Sequence, residues 1–240
     1  MSTLLLRLAA PLQSWGTSSR FVRRNTDSAP SRSGVLGLLA AAQGRRRTDP
    51  LEDLLGLRIG ARIDQPGQLE RDFQTARTRD GDVSMPLSYR FYRADAVFAV
   101  AVEGEPALVE TLEQALRRPV FPLYLGRRSC PPAGRLLHGI HPQPATALLA
   151  EHPWLASPAV RTRHRHPTVD LDLVVDCPAE TPGAELVQDD PISFDPRHRR
   201  HGWRTVHRVR ATVPNPDYRP AARRDEADPL DPMAAFEGLD

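Results

Sequence analysis

This sequence predicts an α+β fold, and three observations carry the prediction. Apolar segments of strand and helix length follow the order strand, helix, strand, strand, helix, strand over residues 3–129. An Asp80-Gly81 turn sits in a polar insertion between the second and third strands, the signature of a projecting β-hairpin. From about residue 140 proline becomes frequent, and two stretches alternate with period two. The expected architecture is the split βαβ, ferredoxin-like (RRM-like) βαββαβ arrangement. It carries an inserted thumb hairpin and a smaller β-rich C-terminal unit.

Each element has its own signal. "TLLLRLAA" is a short apolar run of strand length. It lacks a basic leader and has Arg7 inside it, so it reads as a strand and not as a signal peptide. The helix after Pro30 places Val35, Leu38, Leu39 and Ala42 on one face, with Ser31 or Ser33 as its cap and Gly44 as its stop. "LRIGARID" alternates, with Leu57, Ile59, Ala61 and Ile63 pointing one way, and "DAVFAVAV" reads as a buried strand. "EPALVETLEQALRRP" is a second helix, led by acid and closed by Arg117 and Arg118, as the helix dipole prefers. "FPLYLGRRS" is the last strand of the series, and "TVDLDLVVD" and "GWRTVHRVRATV" are the alternating C-terminal stretches. The divisions expected are a domain over 1–140 with its thumb at about 75–92, a β-rich unit over 141–213, and a mobile acidic, proline-rich tail over 214–240.

Composition narrows the class. All 32 basic residues are arginine, always-charged planar groups suited to phosphates and base faces. The net charge of +2 hides an asymmetry. "RHRRHGWRTVHRVR" (197–210) has six arginines, three histidines and no acid, while the last thirty residues hold three arginines against seven acids. That pattern fits a nucleic-acid face with an acidic tail, or simply solvated charge. Cys130 and Cys177 form no CxxC and suit a reducing compartment. No segment is apolar enough to span a membrane, so a cytoplasmic protein with no membrane partner is expected.

The arginines gather at loops and helix ends: Arg20, Arg23, Arg24 and Arg32 between the first strand and helix, Arg45 to Arg47 after it, and Arg127 and Arg128 beyond the last strand. "PSRSGVLG" opens a helix, whose free N–H groups suit a phosphate; the same Gly34 would also permit close packing. Gln13 and Trp15 in "QSWG" offer an amide and a stacking face to an unpaired base, or else a half-buried anchor. The central strands lack the aromatics on which RNA-recognition motifs stack bases, having only Phe98. The thumb tip has few core-forming residues; its Met85, Pro86 and Leu87, followed by Tyr89, suit a wedge against a base or a neighbouring subunit.

"LRLAAPLQSWG", "PSRSGVLGLLAAAQG", "YRADAVFAVAVEG" and "YLGRRSCPP", in this order and spacing, resemble the CasD family. The likeness is close over residues 3–140 and looser beyond. It implies a non-catalytic subunit of the type I-E CRISPR effector complex, Cascade, that caps the 5′ handle of the crRNA. Its implied partners are the adjacent backbone subunit and the large PAM-reading subunit, with target DNA reached only through the complex. The RNA-binding residues expected are then Gln13, Trp15, Arg20, Arg23, Arg24, Ser31, Arg32, Ser33, Gly34, Arg127 and Arg128. No cofactor and no metal is expected, since "HRH" at His164 and His166 and "HRRH" at His198 and His201 lie among arginines that repel a cation. The enzyme alternative is a metal-independent endoribonuclease that processes precursor crRNA, which needs only a base, an acid and a charge stabiliser around one phosphate. A generic RNA-associated module fits the charge but leaves the four motifs unexplained.

Overall fold

A computed structural model of the chain describes residues 1–17, 23–195 and 197–220. In its N-terminal half lie β1 (Ser2–Ala9), β2 (Leu12–Gln13), β3 (Arg23–Arg24), α1 (Arg32–Ala42), α2 (Glu52–Leu55), β4 (Arg58–Gln65), β5 (Gln68–Gln74), β6 (Ser88–Ala94), β7 (Val97–Gly104) and α3 (Pro106–Arg117). There follow β8 (Leu137–His141), α4 (Ala145–Glu151), α5 (Pro158–Arg163), β9 (Thr168–Asp176), β10 (Glu185–Ser193) and β11 (Arg200–Pro214).

Seven strands make one antiparallel sheet in the order β10-β11-β9-β4-β7-β1-β8. β7 and, apart from Arg7, β1 read as near-continuous apolar runs because both faces of the sheet's centre are covered. On one face Leu4, Leu6, Leu8, Phe98, Val100 and Val102 share a core with Val35 and Leu39 of α1 and Val109 and Leu112 of α3. On the other, Leu5, Ala99 and Ala101 pack with Leu148 and Leu149 of α4 and Leu173 and Val175 of β9. Phe98 is therefore core, and the central strands offer no stacking surface.

Ser31 caps α1, its hydroxyl accepting from the Gly34 N–H at 3.3 Å. The expected strand "FPLYLGRRS" does not form. Pro119, Pro122, Pro131 and Pro132 withhold the N–H groups that a ladder needs, so the segment lies as a loop. Val120 and Phe121 donate to the carbonyls of Ala42 and Ala41 at the end of α1, and Leu125 accepts from Ser14 N–H at 3.1 Å while its side chain enters the core. At Gly126 (φ +87°) a methyl group would fall 1.6 Å from the Ser14 carbonyl oxygen, so only glycine allows this approach. The place beside β1 goes instead to β8, from "LHGIH".

The C-terminal strands continue the sheet edge to edge, through β9 against β4. A fully buried ion pair fixes α4 beneath them. Arg62 meets both Asp64 oxygens at 2.7 and 2.8 Å and donates to the carbonyls of Leu149, His152 and Pro153, which satisfies it without water.

A second, small sheet stands apart. β6 pairs with β5 along one edge and, along the other, with β2 near Ala94 and β3 near Tyr89. β5 and β6 form the hairpin read from Asp80-Gly81, which begins at Gln68. Gly81 (φ +83°) sits at the tip, where its N–H donates to the Thr78 carbonyl.

Candidate nucleic-acid interface

The small sheet gathers residues that are far apart in sequence. Arg23 lies opposite Tyr89, and Tyr89 opposite Phe73, so the three share one face. Arg23 stands over the Phe91 ring at 5.1 Å and Arg71 over the Tyr89 ring at 5.5 Å. Phe73 is 66% exposed and Tyr89 38%. The opposite face carries Arg24 against Arg90. Arg127 covers the Tyr92 ring at 4.6 Å and donates to the Arg24 carbonyl at 2.9 Å. Two guanidinium nitrogens here, Arg90 Nε and Arg127 Nη1, are buried with no hydrogen-bond partner. Arg128 is exposed beside them. A buried donor without an acceptor is costly, and an anion seated between these arginines removes that cost.

The other expected site residues are inside the fold. Gln13 is fully buried, donating to the carbonyls of Leu8 and Ala96 and accepting from the Trp15 indole at 3.2 Å. Trp15 is 1% exposed, and a methyl at Gly34 would lie 2.8 Å from its ring. Both residues are core anchors, closed to a base, and Gly34 is there for packing. The N-terminus of α1 is likewise closed. Ser31 and Ser33 are buried, and the Arg32 N–H donates to the Asp189 carboxylate at 2.7 Å. The anion that this helix start attracts belongs to the chain itself.

Arg32 is 6% exposed and sits in a network of two arginines and three aspartates. It meets Asp176 and Asp190 at 2.7 Å, while Arg204 meets Asp176 and Asp189. A cavity of about 330 Å³ opens beside the network, and two of the arginines on its wall, Arg32 and Arg204, are already paired with aspartates. The two-residue period of β11 puts Arg204, Arg208 and Arg210 on one face, and each is matched by an acid of a neighbouring strand: Asp189, Glu185 and Asp172. Arg20 lies outside the described residues, as do residues 221–240 of the expected tail.

The family model described as CRISPR-associated protein (Cas_Cas5) matches residues 3–207. The chain belongs to the Cas5 family. "CRISPR system Cascade subunit CasD" of Escherichia coli (strain K12) is 35% identical over 162 residues, 54% of this chain and 67% of that protein. A solved chain titled "CRISPR RNA-guided surveillance complex" superposes with a TM-score of 0.73 at 34% identity, covering 92% of this chain and 95% of its own. Another, "Crystal structure of Cas protein", gives 0.67 at 36% identity over 91% and 98%.

In this Cas5-family chain the sequence reading missed Arg71, Phe73, Arg90 and Phe91. A run of alternating Arg and aromatic residues, "YRFYR" (89–93), was the available signal. His164 and His166 pack edge-on in a row with Trp154. Among the described residues no three His, Cys, Asp or Glu side chains form a set that could hold a metal ion, and no helix is long and apolar enough to cross a membrane.

Proposed function

We propose that this chain is a non-catalytic, cytoplasmic RNA-binding subunit of a type I-E CRISPR effector complex. It caps the 5′ handle of the crRNA and contacts the backbone subunit and the large PAM-reading subunit. The observation that carries the reading is the unpartnered pair of buried donors, Arg90 Nε and Arg127 Nη1, on two arginines that both meet Arg24. These guanidiniums hold phosphates of a short single-stranded end. Across the small sheet, Phe73 and Tyr89 offer exposed rings for unpaired bases. We read the β8-β1-β7-β4 strands with α1 and α3 as the ferredoxin-like unit that carries the thumb at about 75–92. Met85 and Leu87, exposed around Pro86 at the thumb, serve a displaced base or a neighbouring subunit. Resemblance to a protein named as a Cascade subunit supports the assembly.

Co-expression with the remaining subunits, followed by sequencing of the bound RNA, tests the reading. Repeat-derived RNA is expected, and the purified subunit leaves precursor RNA intact with or without chelator. Replacing Arg24, Arg90 and Arg127 by Ala reduces the slope of log affinity against log salt by about 2, at roughly 0.7 per phosphate on a single strand. An unchanged slope in a folded variant overturns it.

A further inference from the structure

β10 and β11 extend beyond the rest of the sheet. β9 ends at Asp176, opposite Val206, so from Arg200 to Arg204 β11 has only β10 beside it. One face of this two-stranded ribbon is closed by α1. Arg204 meets Asp189 and Asp176 there, the Arg32 N–H donates to Asp189, and a methyl added at Gly37 would lie 3.7 Å from the Phe194 ring. The other face is bare. Val209 and Ala211, further along β11 on that face, pack with the α4 cluster, but Trp203 is 62% exposed. Leu186 lies opposite Thr205, which puts it diagonal to Trp203 on the same face, and it is 68% exposed. Exposed Gln188, two residues on from Leu186, donates to the His201 carbonyl at 3.5 Å, and its amide oxygen has no partner among the described residues. The ribbon's charges are just as unequal. Its acids are all engaged: Asp189 and Asp190 with Arg204 and Arg32, Glu185 with Arg208, and Asp195 with the Arg197 backbone N–H at 2.8 Å. The exposed guanidiniums of Arg197 and Arg200 have no partner among the described residues. Arg200 stands opposite Ser193, three residues, or about 10 Å of strand, from Trp203. Glu180, in the loop before β10, belongs to the opposite end of the ribbon.

We infer that Trp203 is a stacking platform for an unpaired base of a single-stranded nucleic acid, with Gln188 beside the base edge and Arg197 and Arg200 on the neighbouring phosphates. An indole held open on a strand stacks any base, and free guanidinium forks at the end of that strand match the phosphates on either side of it. Two exposed apolar side chains are far short of the roughly 800 Å² that each partner gives to a stable protein interface, and the unpaired basic end favours a polyanion. The site stands on the ribbon alone and does not depend on the RNA reading of the thumb.

The test uses the full chain, because its other two tryptophans, Trp15 and Trp154, are 1% and 4% exposed, which makes Trp203 the one a base can stack on. Intrinsic fluorescence is followed as a labelled oligouridine RNA, or an oligothymidine DNA of equal length, is added over a salt series. Quenching is expected in the parent and absent in Trp203→Phe, which keeps most of the affinity. Trp203→Ala should bind about tenfold more weakly, and Arg197→Ala, Arg200→Ala should lower the salt slope by about 1.4, each with the parent's melting curve. Quenching by one oligomer alone supports the site and names its sugar. Quenching that survives in the Arg24→Ala, Arg90→Ala, Arg127→Ala variant keeps this site even where the handle reading fails. A parent left unquenched at saturating oligomer overturns the inference, as does quenching that persists in Trp203→Phe or an arginine variant with the parent's slope. A Trp203→Ala variant that binds both oligomers like the parent but no longer co-purifies with other subunits also overturns it, and gives the face to a protein.

Discussion

The Arg32 guanidinium donates to four oxygens: the carbonyls of Leu55 and Leu57, and the carboxylates of Asp176 and Asp190, 144 and 158 residues further on. It closes the helix layer onto the far end of the sheet. Arg32→Ala therefore acts on stability. We expect a loss of about 2–4 kcal/mol, moderated because Asp190 is a third exposed and Arg204 still faces Asp176. Urea denaturation measures the loss, and the RNA salt slope of the folded variant should stay that of the parent. A reduced slope at unchanged stability would return Arg32 to the RNA site. Arg24 and Arg32 carry the same charge in the same stretch, and the sequence cannot distinguish the open one from the closed one. The acids that occupy Arg32 come from β9 and β10, and pairing at that separation leaves no local trace. Gln13 and Trp15 escaped for a related reason: an amide and an indole that satisfy each other inside a core have the composition of a base-binding pair.

At the scale of elements, local pattern was legible wherever local forces decide. Ser31 caps α1, Gly81 turns the hairpin, and the buried runs became β1, β4 and β7. "FPLYLGRRS" failed because its alternation buries Leu125 while its backbone bonds go to α1 and Ser14. β3 is two residues long and forms only because β6 offers an edge. Without β3, the arginines of the small sheet do not read as one site. Every residue of β5 and of the tip from Ala76 to Leu87 is exposed, so the segment contributes little to the core. Replacing Arg79–Leu87 by a short Gly turn should leave the melting temperature within about 2 °C, since surface changes stay within about 0.5 kcal/mol. Handle affinity should fall less than in the arginine variants, because the replaced segment carries a single positive charge, Arg79, against three in those variants. Assembly should suffer, read as reduced recovery of guide-loaded complex on size exclusion. Full recovery would make the tip dispensable.

Across the whole molecule, the sheet is one body of seven strands because β9 finds the free edge of β4. "TVDLDLVVD" announced a strand but not its neighbour, since register against β4 is set by packing with Leu173 and Val175 on α4. Three histidines gather where β8 meets the end of α4. The His152 ring meets those of His138 and His141 edge-on, at centroid distances of 6.3 and 6.2 Å. Burial lowers the His138 and His152 pKa values most; the charges of His152, Arg135 and Arg7 lower His138 further, and those of Arg62 and His141 lower His152. Asp64 and the Pro153 carbonyl push His152 the other way. Both rings are thus held neutral in the fold below the pH at which an unfolded histidine, near 6.5, takes up its proton. The unfolded chain binds more protons in that window, so stability is kept above about pH 6.5 and falls as acid is added. His201, lowered by burial and Arg199, adds to the trend. Asp27, raised mainly by burial, opposes it, because its contribution is lost as pH rises through its raised pKa. We expect the thermal midpoint to drop between pH 7.5 and 5.5, and the drop to shrink in a His138→Gln, His152→Gln variant, which keeps polar rings' volume roughly but cannot charge. If the variant's midpoint follows the parent's over the whole range, these two histidines are not what couples the fold to protons.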